Sequence, residues 1–340
     1  MRESLHRVLQ PGKLPFTLLK NLLKLRGAPD RRVVLGPAIG RDAAVIDLGS
    51  HYLILKSDPV TFTAEEIGWY AVHVNANDVA VMGARPAWFQ PTIIVPPGTR
   101  ADAVRRIFRD IDRSARLLGI AVTGGHTEVS PAVCQPIVSG DMQGIVDPSQ
   151  LVTSAGARAG DVLIMTKAAG IEGTSIIARA FPRDARRVLG AHGQRAAARF
   201  HHEPGISVVG EALAAARHGA TAMHDPTEGG VATGLWELAS ASGKRLMVDL
   251  DRIPVLAPTE RLCSHFQLRP FGLIGSGALL ATVPPGRVQA LLRALQRLRV
   301  AATVIGSVAP GRGIEARRAG KRVRFEWSER DELTRLGGLE

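Results

Sequence analysis

A chain of 340 residues with 45% hydrophobic residues is long enough to build two hydrophobic cores, so we expect two domains. The formal net charge of +12 would suit nucleic-acid binding. However, the cations alternate with acids and only 4% of the residues are aromatic, which argues against a nucleic-acid partner. No apolar run reaches the length of a membrane span, so we expect a cytoplasmic protein without membrane contact. Cys134 and Cys263 have no metal-binding spacing, so we expect both to be reduced, buried thiols.

The first half of the sequence predicts alternating strands and helices. FTLLKNLLKLRG has apolar residues at helical spacing and predicts an amphipathic helix that ends near Gly27. Two strands follow, AAVID and HYLILKSD, and then a helix from about Glu65 to Met82 that ends at Gly83. Further along, the patterns predict a strand in FQPTIIVPP, a helix in ADAVRRIFRDIDRSARLLG and a strand in PIVSGDMQGIV.

The second half repeats this alternation after a stretch of turn residues, DPSQLVTSAGARAG. That stretch predicts the domain boundary, which divides the chain into residues 1–152 and 153–335. DVLIMTK, TAMHD, GALLATVPP and AATVIGSVA predict strands, and GISVVGEALAAARHG, VATGLWELASASG and GRVQALLRALQRLR predict helices. The fold class predicted from these patterns is α/β, of the mixed α+β kind.

Three aspartates of the first half stand where they could bind a magnesium ion. Asp42 precedes a strand, Asp58 ends one, and Asp78 lies in an otherwise apolar helix, where a short polar side chain lowers helix propensity. Magnesium needs only one or two carboxylates beside phosphate oxygens and water, so these aspartates could supply its site. An ordinary turn or cap would explain Asp42 and Asp58 equally well.

Two glycine-containing turns could approach a phosphate group closely. The first is GPAIGRDAAVID, with Gly36 and Gly40. The second is TGGHTEVSP, which could bind phosphate, adenine or a metal, although a lone histidine in a turn is more often a surface residue. Its candidate residues are Gly124, Gly125, His126, Thr127 and Glu128.

The second half carries one further candidate cluster, HDPTEGG, ahead of a predicted helix. Asp225 and Glu228 precede Gly229 and Gly230, and the amides at the start of a helix favour anions. Simple helix capping explains the cluster equally well. The two histidines of RFHHEPG lack a third metal ligand nearby in the sequence, so we expect His201 and His202 to lie on the surface.

Taken in order, these motifs resemble the AIR synthase (PurM-like) superfamily. GRDAAVID resembles its GDDAAV turn, SDPVTF its strand-end aspartate, VNANDVAVMGARP its NDLAxxGAxP helix, and TGGHTEV its GGDT turn. The resemblance extends over about residues 36–309. Within the superfamily, HDPTEGGVATGLWELASASG is most similar to the hydrogenase-maturation branch, HypE.

The resemblance implies a two-domain PurM-like architecture and an ATP- and Mg²⁺-dependent enzyme. The first domain would pair with its twin in a homodimer to form a β-barrel, and the second would be an α/β sandwich covering the ATP cleft. The enzyme would phosphorylate a carbonyl or carboxamide oxygen of a small-molecule or protein-borne acceptor, with a role in hydrogenase or metallocentre maturation. The implied catalytic residues are Asp78 and Asp225, the metal ligands Asp42, Asp58, Asp78 and Glu128, and the ATP-binding residues Gly36, Gly40, Asn77, Gly124, Gly125, His126, Thr127, Gly229 and Gly230.

Three departures from the family pattern leave other functions open. Arg41 replaces the first of two paired aspartates, and His126 stands where relatives place Asp or Glu. The sequence ends in RLGGLE, whereas HypE ends in a cysteine that is chemically modified, so we do not expect that modification on this chain's own tail. The alternatives are an ATP-binding paralogue without turnover and a basic RNA-associated protein.

Overall fold

The computed structural model describes residues 9, 12–61 and 63–337, and within them the first half of the chain forms a seven-stranded mixed sheet. Its strands are β1 Val33–Leu35, β2 Ala44–Asp47, β3 Tyr52–Val60, β4 Arg85–Val95, β5 Ala121–Val122, β6 His126–Val129 and β7 Ile137–Val146. The strand order is β1-β2-β3-β7-β4-β5, and β6 also pairs with β4. The helices are α1 Phe16–Leu22, α2 Ile67–Val81 and α3 Ala101–Leu118.

Helix α2 packs directly on this sheet because two glycines of β7 leave room for it. A Cβ atom on Gly140 would lie 2.4 Å from the amide nitrogen of Asn75, and one on Gly144 would lie 2.6 Å from a methyl group of Val79. On its other side α2 is covered by α3, which buries Ile107 and Ile111 at a spacing of one helical turn. Helix α2 is therefore buried on nearly every face.

The second half forms another seven-stranded mixed sheet within the described residues. Its strands are β8 Val162–Thr166, β9 Ala222–His224, β10 Arg245–Asp249, β11 Leu280–Val283, β12 Ala302–Ala309, β13 Gly313–Arg318 and β14 Lys321–Val323, in the order β14-β13-β10-β12-β8-β11-β9. The helices are α4 Ile171–Ala180, α5 Pro182–Ala198, α6 Val209–Arg217, α7 Gly230–Ser242, α8 Ala257–Phe266 and α9 Val288–Arg297.

The two halves share one apolar core rather than touching through a polar interface. A single cluster of buried residues includes Val72 and Ala76 of α2 together with Val209 and Ala212 of α6. The Asn77 side chain reinforces this contact, since its Nδ2 donates to the Ile206 carbonyl and its Oδ1 accepts from the Val208 amide, both at 2.8 Å. Helix α2 thus belongs to the cores of both halves.

The predicted mixed α/β fold with two domains is confirmed. The boundary between residues 152 and 153 and the dimeric barrel remain predictions. Among the described residues, no helix combines the length and apolar character that crossing a membrane requires. Residues 338–340 of the tail lie outside the described residues.

Several local predictions were wrong. Helix α1 ends at Leu22 rather than near Gly27, because the residues after it find no apolar surface and Leu25 is 82% exposed. The thiol of Cys134 is exposed, although that of Cys263 is buried. His201 is buried rather than on the surface.

Candidate functional site

A cavity of about 430 Å³ lies at the seam between the two halves. The first half contributes the turn before β2, the end of β3 and one face of α2, and the second half contributes the segment after β9 and the start of α4. Five of the predicted site residues line this one cavity although they are up to 185 positions apart in sequence: Gly40, Asp42, Asp58, Asp78 and Asp225.

A partly buried lysine, whose side chain is 18% exposed, lies among the carboxylates of the first half. Lys56 Nζ is 3.1 Å from Asp58 Oδ2 and 3.3 Å from Asp78 Oδ2. Lys56 and Asp58 reach the same side of the sheet because side chains two residues apart on a strand share a face. Burial acts to lower the pKa of Lys56, but the negative charges of Asp78, Asp58 and Asp42 outweigh it and the net shift is upward. Lys56 is therefore a positive charge.

A second cation, His224, is buried and joins the two halves. Its Nδ1 lies 2.7 Å from Asp42 Oδ1 and its Nε2 lies 2.9 Å from Glu237 Oε2. Since both ring nitrogens face carboxylate oxygens, both carry protons and the ring is an imidazolium. Burial acts to lower the pKa of His224, and the two carboxylates raise it well above its usual value. With both nitrogens donating, His224 is not free to bind a metal.

Four carboxylate oxygens in this cavity are buried without a hydrogen-bond partner in the described part of the chain. They are Asp42 Oδ2, both oxygens of Asp225, and Asp78 Oδ2, which has only the 3.3 Å ion pair with Lys56 Nζ. Burial, followed by the charge of Asp42, raises the pKa of Asp225 to about 8, and burial also raises that of Asp78. Oxygens of this kind are the ligands that Mg²⁺ takes in proteins, so the residues present fit a divalent cation.

The TGGHTE turn lies outside the cavity. Asp58 pairs with Gly140 of β7, Gly140 with Pro91 of β4, and Gly125 lies against Pro91. Three strand spacings of about 4.8 Å separate Gly125 from Asp58, or about 14 Å. The structure does not bring the residues of this turn to the cavity, and all of them are exposed: Gly124, Gly125, His126, Thr127 and Glu128.

Gly125 has a structural reason to be glycine. A Cβ atom there would lie 2.3 Å from the Pro91 carbonyl oxygen, so the close approach of β6 to β4 leaves no room for a side chain. Gly36 is also outside the cavity lining, although its carbonyl accepts a 2.8 Å hydrogen bond from Arg41. Gly40 does line the cavity, in the left-handed conformation at φ +72°.

Gly229 and Gly230, at the start of α7, were predicted to bind an anion of ATP through their backbone amides. Both amides already donate hydrogen bonds within the protein, so this predicted role is corrected. The Gly229 amide donates to Asp331 Oδ2 at 2.8 Å, and the Gly230 amide donates to the Thr227 carbonyl at 3.0 Å. Neither glycine lines the cavity. Asn77 is similarly occupied with the backbone of the second half, so its side chain does not reach the cavity.

Sequence reasoning missed Lys56 and His224, the two cations that lie among the carboxylates of the cavity. Lys56 could have been found from the alternation in LKSD, which puts it on the same face as Asp58. His224 directly precedes Asp225, but nothing in HDPTEGG distinguishes a buried histidine from an exposed one.

Comparison with known proteins identifies the family. Residues 40–146 match the N-terminal domain of AIR synthase related proteins, and residues 158–318 match their C-terminal domain. The chain belongs to the AIR synthase-related family. It is 30% identical to carbamoyl dehydratase HypE of Rhodobacter capsulatus over 70% of this chain and 68% of that protein. It is 28% identical to selenide, water dikinase of Myxococcus xanthus over 85% of this chain and 88% of that enzyme.

Solved structures show the same fold. E. coli HypE superposes with a TM-score of 0.73 at 21% identity, over 95% of this chain and 99% of that one. A structure of HypE in complex with ATP has a TM-score of 0.67 at 23% identity, over 92% of each chain. The predicted resemblance to the AIR synthase superfamily is confirmed, and so is the prediction of an enzyme, because the relatives of this family are enzymes.

Proposed function

We propose that the chain is an ATP- and Mg²⁺-dependent enzyme of the HypE type that phosphorylates a carbonyl or carboxamide oxygen. One observation carries this proposal: the aspartates of the cavity keep buried oxygens without hydrogen-bond partners around a charged lysine. A stable fold without a ligand would gain nothing from such a cluster, because buried carboxylates without partners are destabilising. Similarity to HypE and to selenide, water dikinase supports the same type of chemistry.

The charged groups around Lys56 would act on the metal and the phosphates. Asp42, Asp58 and Asp78 would hold Mg²⁺, which supplies positive charge to the phosphates during transfer. Lys56 adds a point charge for a phosphate oxygen. A neighbouring cavity of about 530 Å³, lined by Lys20, Lys24 and Arg26 among others, extends the positive surface that an anionic nucleotide needs.

Asp225 would orient the acceptor from the opposite wall. It is 2% exposed and lies next to His224 at the end of β9, while the metal ligands come from the first half. The acceptor would be a small molecule or a protein-borne carboxamide or carboxylate. A solved HypE–HypF complex, similar in fold at 18% identity, supports the expectation of a protein partner.

We also propose that the chain forms a homodimer through its first sheet. Three apolar side chains of that sheet support this proposal, since Val122, Val129 and Ile145 are 46%, 63% and 39% exposed. Sedimentation velocity should give twice the 36.2 kDa of one chain. A species of 36.2 kDa at micromolar concentration would contradict the dimer.

The first test is ATP binding and hydrolysis with and without Mg²⁺, measured against a panel of carboxamide and amine acceptors. Asp78→Asn should lower Mg²⁺-dependent turnover by at least about 100-fold, since it removes a buried charge from the proposed metal site. The matched control is Asp112→Asn on α3, where the aspartate is exposed and pairs only with Arg116. If Asp78→Asn keeps the turnover of the control, the proposed site is wrong; ATP binding without any turnover would identify a non-catalytic paralogue.

A further inference from the structure

A second cluster of metal-ligating side chains lies away from the cavity. Glu66 stands at the start of α2, and His201 and His202 follow α5 in the second half. His202 Nε2 is 2.9 Å from Glu66 Oε1, and His201 Nε2 is in close contact with Glu66 Oε2. One ligand atom from each residue lies within 4.8 Å of the others. Two imidazoles and one carboxylate thus converge on one point.

The hydrogen bonds behind His201 determine which of its nitrogens carries a proton. Ser175 Oγ donates to the Ala198 carbonyl at 2.8 Å and also lies 2.8 Å from His201 Nδ1. Because the hydroxyl has only one proton, keeping both bonds requires His201 Nδ1–H to donate to the serine. In a neutral ring this leaves a lone pair on Nε2, facing the carboxylate of Glu66.

Two groups with lone pairs do not attract each other, so this contact needs a positive charge. Either a proton on Nε2 or a bound metal ion supplies that charge. A metal ion meets the requirement with the neutral ring. Histidine ligands of metals commonly donate the other ring N–H to a neighbouring oxygen, as His201 does to Ser175.

A further buried histidine, His73, lies one aromatic ring away from the cluster. It is 1% exposed, and neither ring nitrogen has a hydrogen-bond partner in the part of the chain that the structure describes. Its ring lies 4.0 Å from that of Trp69, which in turn lies 4.4 Å from the ring of His202. Burial lowers the pKa of His73 to about 3, so it is a neutral imidazole beside the cluster.

We propose that Glu66, His201 and His202 form a binding site for a divalent transition-metal ion such as zinc. Imidazole nitrogen favours these metals over Mg²⁺, whereas the cavity offers only carboxylate oxygens. The two sites are separate, since Asp78 follows Glu66 by twelve positions, or about 18 Å along the helix axis. The metal would bind residues of both halves at once and so stabilise their contact.

The test is zinc uptake by the metal-free, full-length protein in excess Mg²⁺, which competes for the carboxylate cavity. The wild type should bind one zinc ion at this site, and its melting temperature should rise with zinc concentration. His202→Gln and Glu66→Gln should bind that zinc at least about tenfold more weakly. His192→Gln is the matched control, because His192 is an exposed histidine of α5 outside the cluster.

Equal zinc uptake and equal melting shifts in the wild type and in both variants would overturn the proposal and leave a histidine–glutamate ion pair only. X-ray absorption at the zinc edge of the wild type provides a test that does not depend on the folding of a variant. Two imidazoles in the zinc coordination shell are expected, and a shell of oxygens alone would contradict the site. Neither measurement depends on turnover, so the result is independent of the proposed ATP chemistry.

Discussion

His224 Nδ1 donates a 2.7 Å hydrogen bond to Asp42 Oδ1, and this contact joins the second half of the chain to the cavity wall of the first. The other ring nitrogen is bonded to Glu237 at 2.9 Å. One imidazolium therefore separates two buried carboxylates that would otherwise repel each other.

Replacing His224 by glutamine should destabilise the protein. The variant keeps a side chain that can hydrogen-bond but leaves Asp42 and Glu237 without a buried counter-charge, and breaking such a pair removes about 3 to 5 kcal/mol from the free energy of unfolding. Urea denaturation measures the difference. His218→Gln is the control, since the His218 ring lies 2.9 Å from the Ala214 carbonyl and forms no ion pair with any residue that the structure describes. A wild-type midpoint for His224→Gln would contradict the imidazolium assignment.

Replacing Lys56 by glutamine should make stability depend on Mg²⁺. Without the ammonium group, Asp58 and Asp78 repel each other across the cavity, which we expect to lower the free energy of unfolding by about 3 kcal/mol in EDTA. Mg²⁺ should restore part of this loss, because a divalent cation neutralises the same carboxylates. Melting curves in EDTA and in MgCl₂ check this. An identical Mg²⁺ response in the variant and the wild type would argue against a metal at these carboxylates.

A substitution at Asn77 shows whether its side chain stabilises the fold or binds ATP. In Asn77→Ala the Ile206 carbonyl and the Val208 amide lose their buried partners, which should lower the free energy of unfolding by about 2 to 4 kcal/mol. Affinity for ATP should stay within about twofold of the wild type, because the side chain does not line the cavity. Calorimetric titration with ATP below the melting temperature decides between the two, and a large loss of affinity would restore the cofactor-binding role.

Glu172 predicts a pH dependence of stability. Burial raises its pKa to about 7, above the value of 4.5 expected for the unfolded chain. The folded state therefore holds this proton more tightly, so the stabilising effect is present below pH 4.5 and is lost as the pH rises from 4.5 to about 7. The glutamine of Glu172→Gln cannot ionise. The free energy of unfolding of this variant should therefore be higher than that of the wild type by about 3 kcal/mol at pH 8, and by much less at pH 5. Exposed Glu260→Gln should show a difference that does not change with pH.

The two thiols should differ in reactivity. Cys134 is exposed, whereas burial raises the pKa of Cys263 to about 12, so that roughly one in ten thousand Cys263 side chains is a thiolate at pH 8. A colourimetric thiol reagent should modify one group per native chain and two after unfolding. Cys134→Ser should abolish the native reaction. Rapid modification of both thiols in the native protein would mean that the core around Cys263 opens readily.

The fold was predictable because its patterns are local, and the order of the motifs identified the family. Strand-like apolar runs predicted β3 and β4, the stop at Gly83 predicted the end of α2, and apolar residues at helical spacing predicted α3. The aspartates of the cavity were found because Asp78 interrupts an apolar helix. The other features of the site depend on contacts between segments that are distant in sequence. No sequence pattern marks a single residue such as Lys56 or His224 as part of a site. The ring of His201 is buried by residues from both halves.

Because α2 belongs to the cores of both halves, neither half is a self-sufficient module. If the chain were cut near residue 152, the fragment with α2 would expose Val72 and Ala76, and the other fragment would expose Val209 and Ala212. The cavity would also divide, leaving Lys56 on one piece and Asp225 on the other. A gene fusion or domain swap that carries only one half would therefore lack part of the cavity. The two halves have to evolve together for the site to be kept.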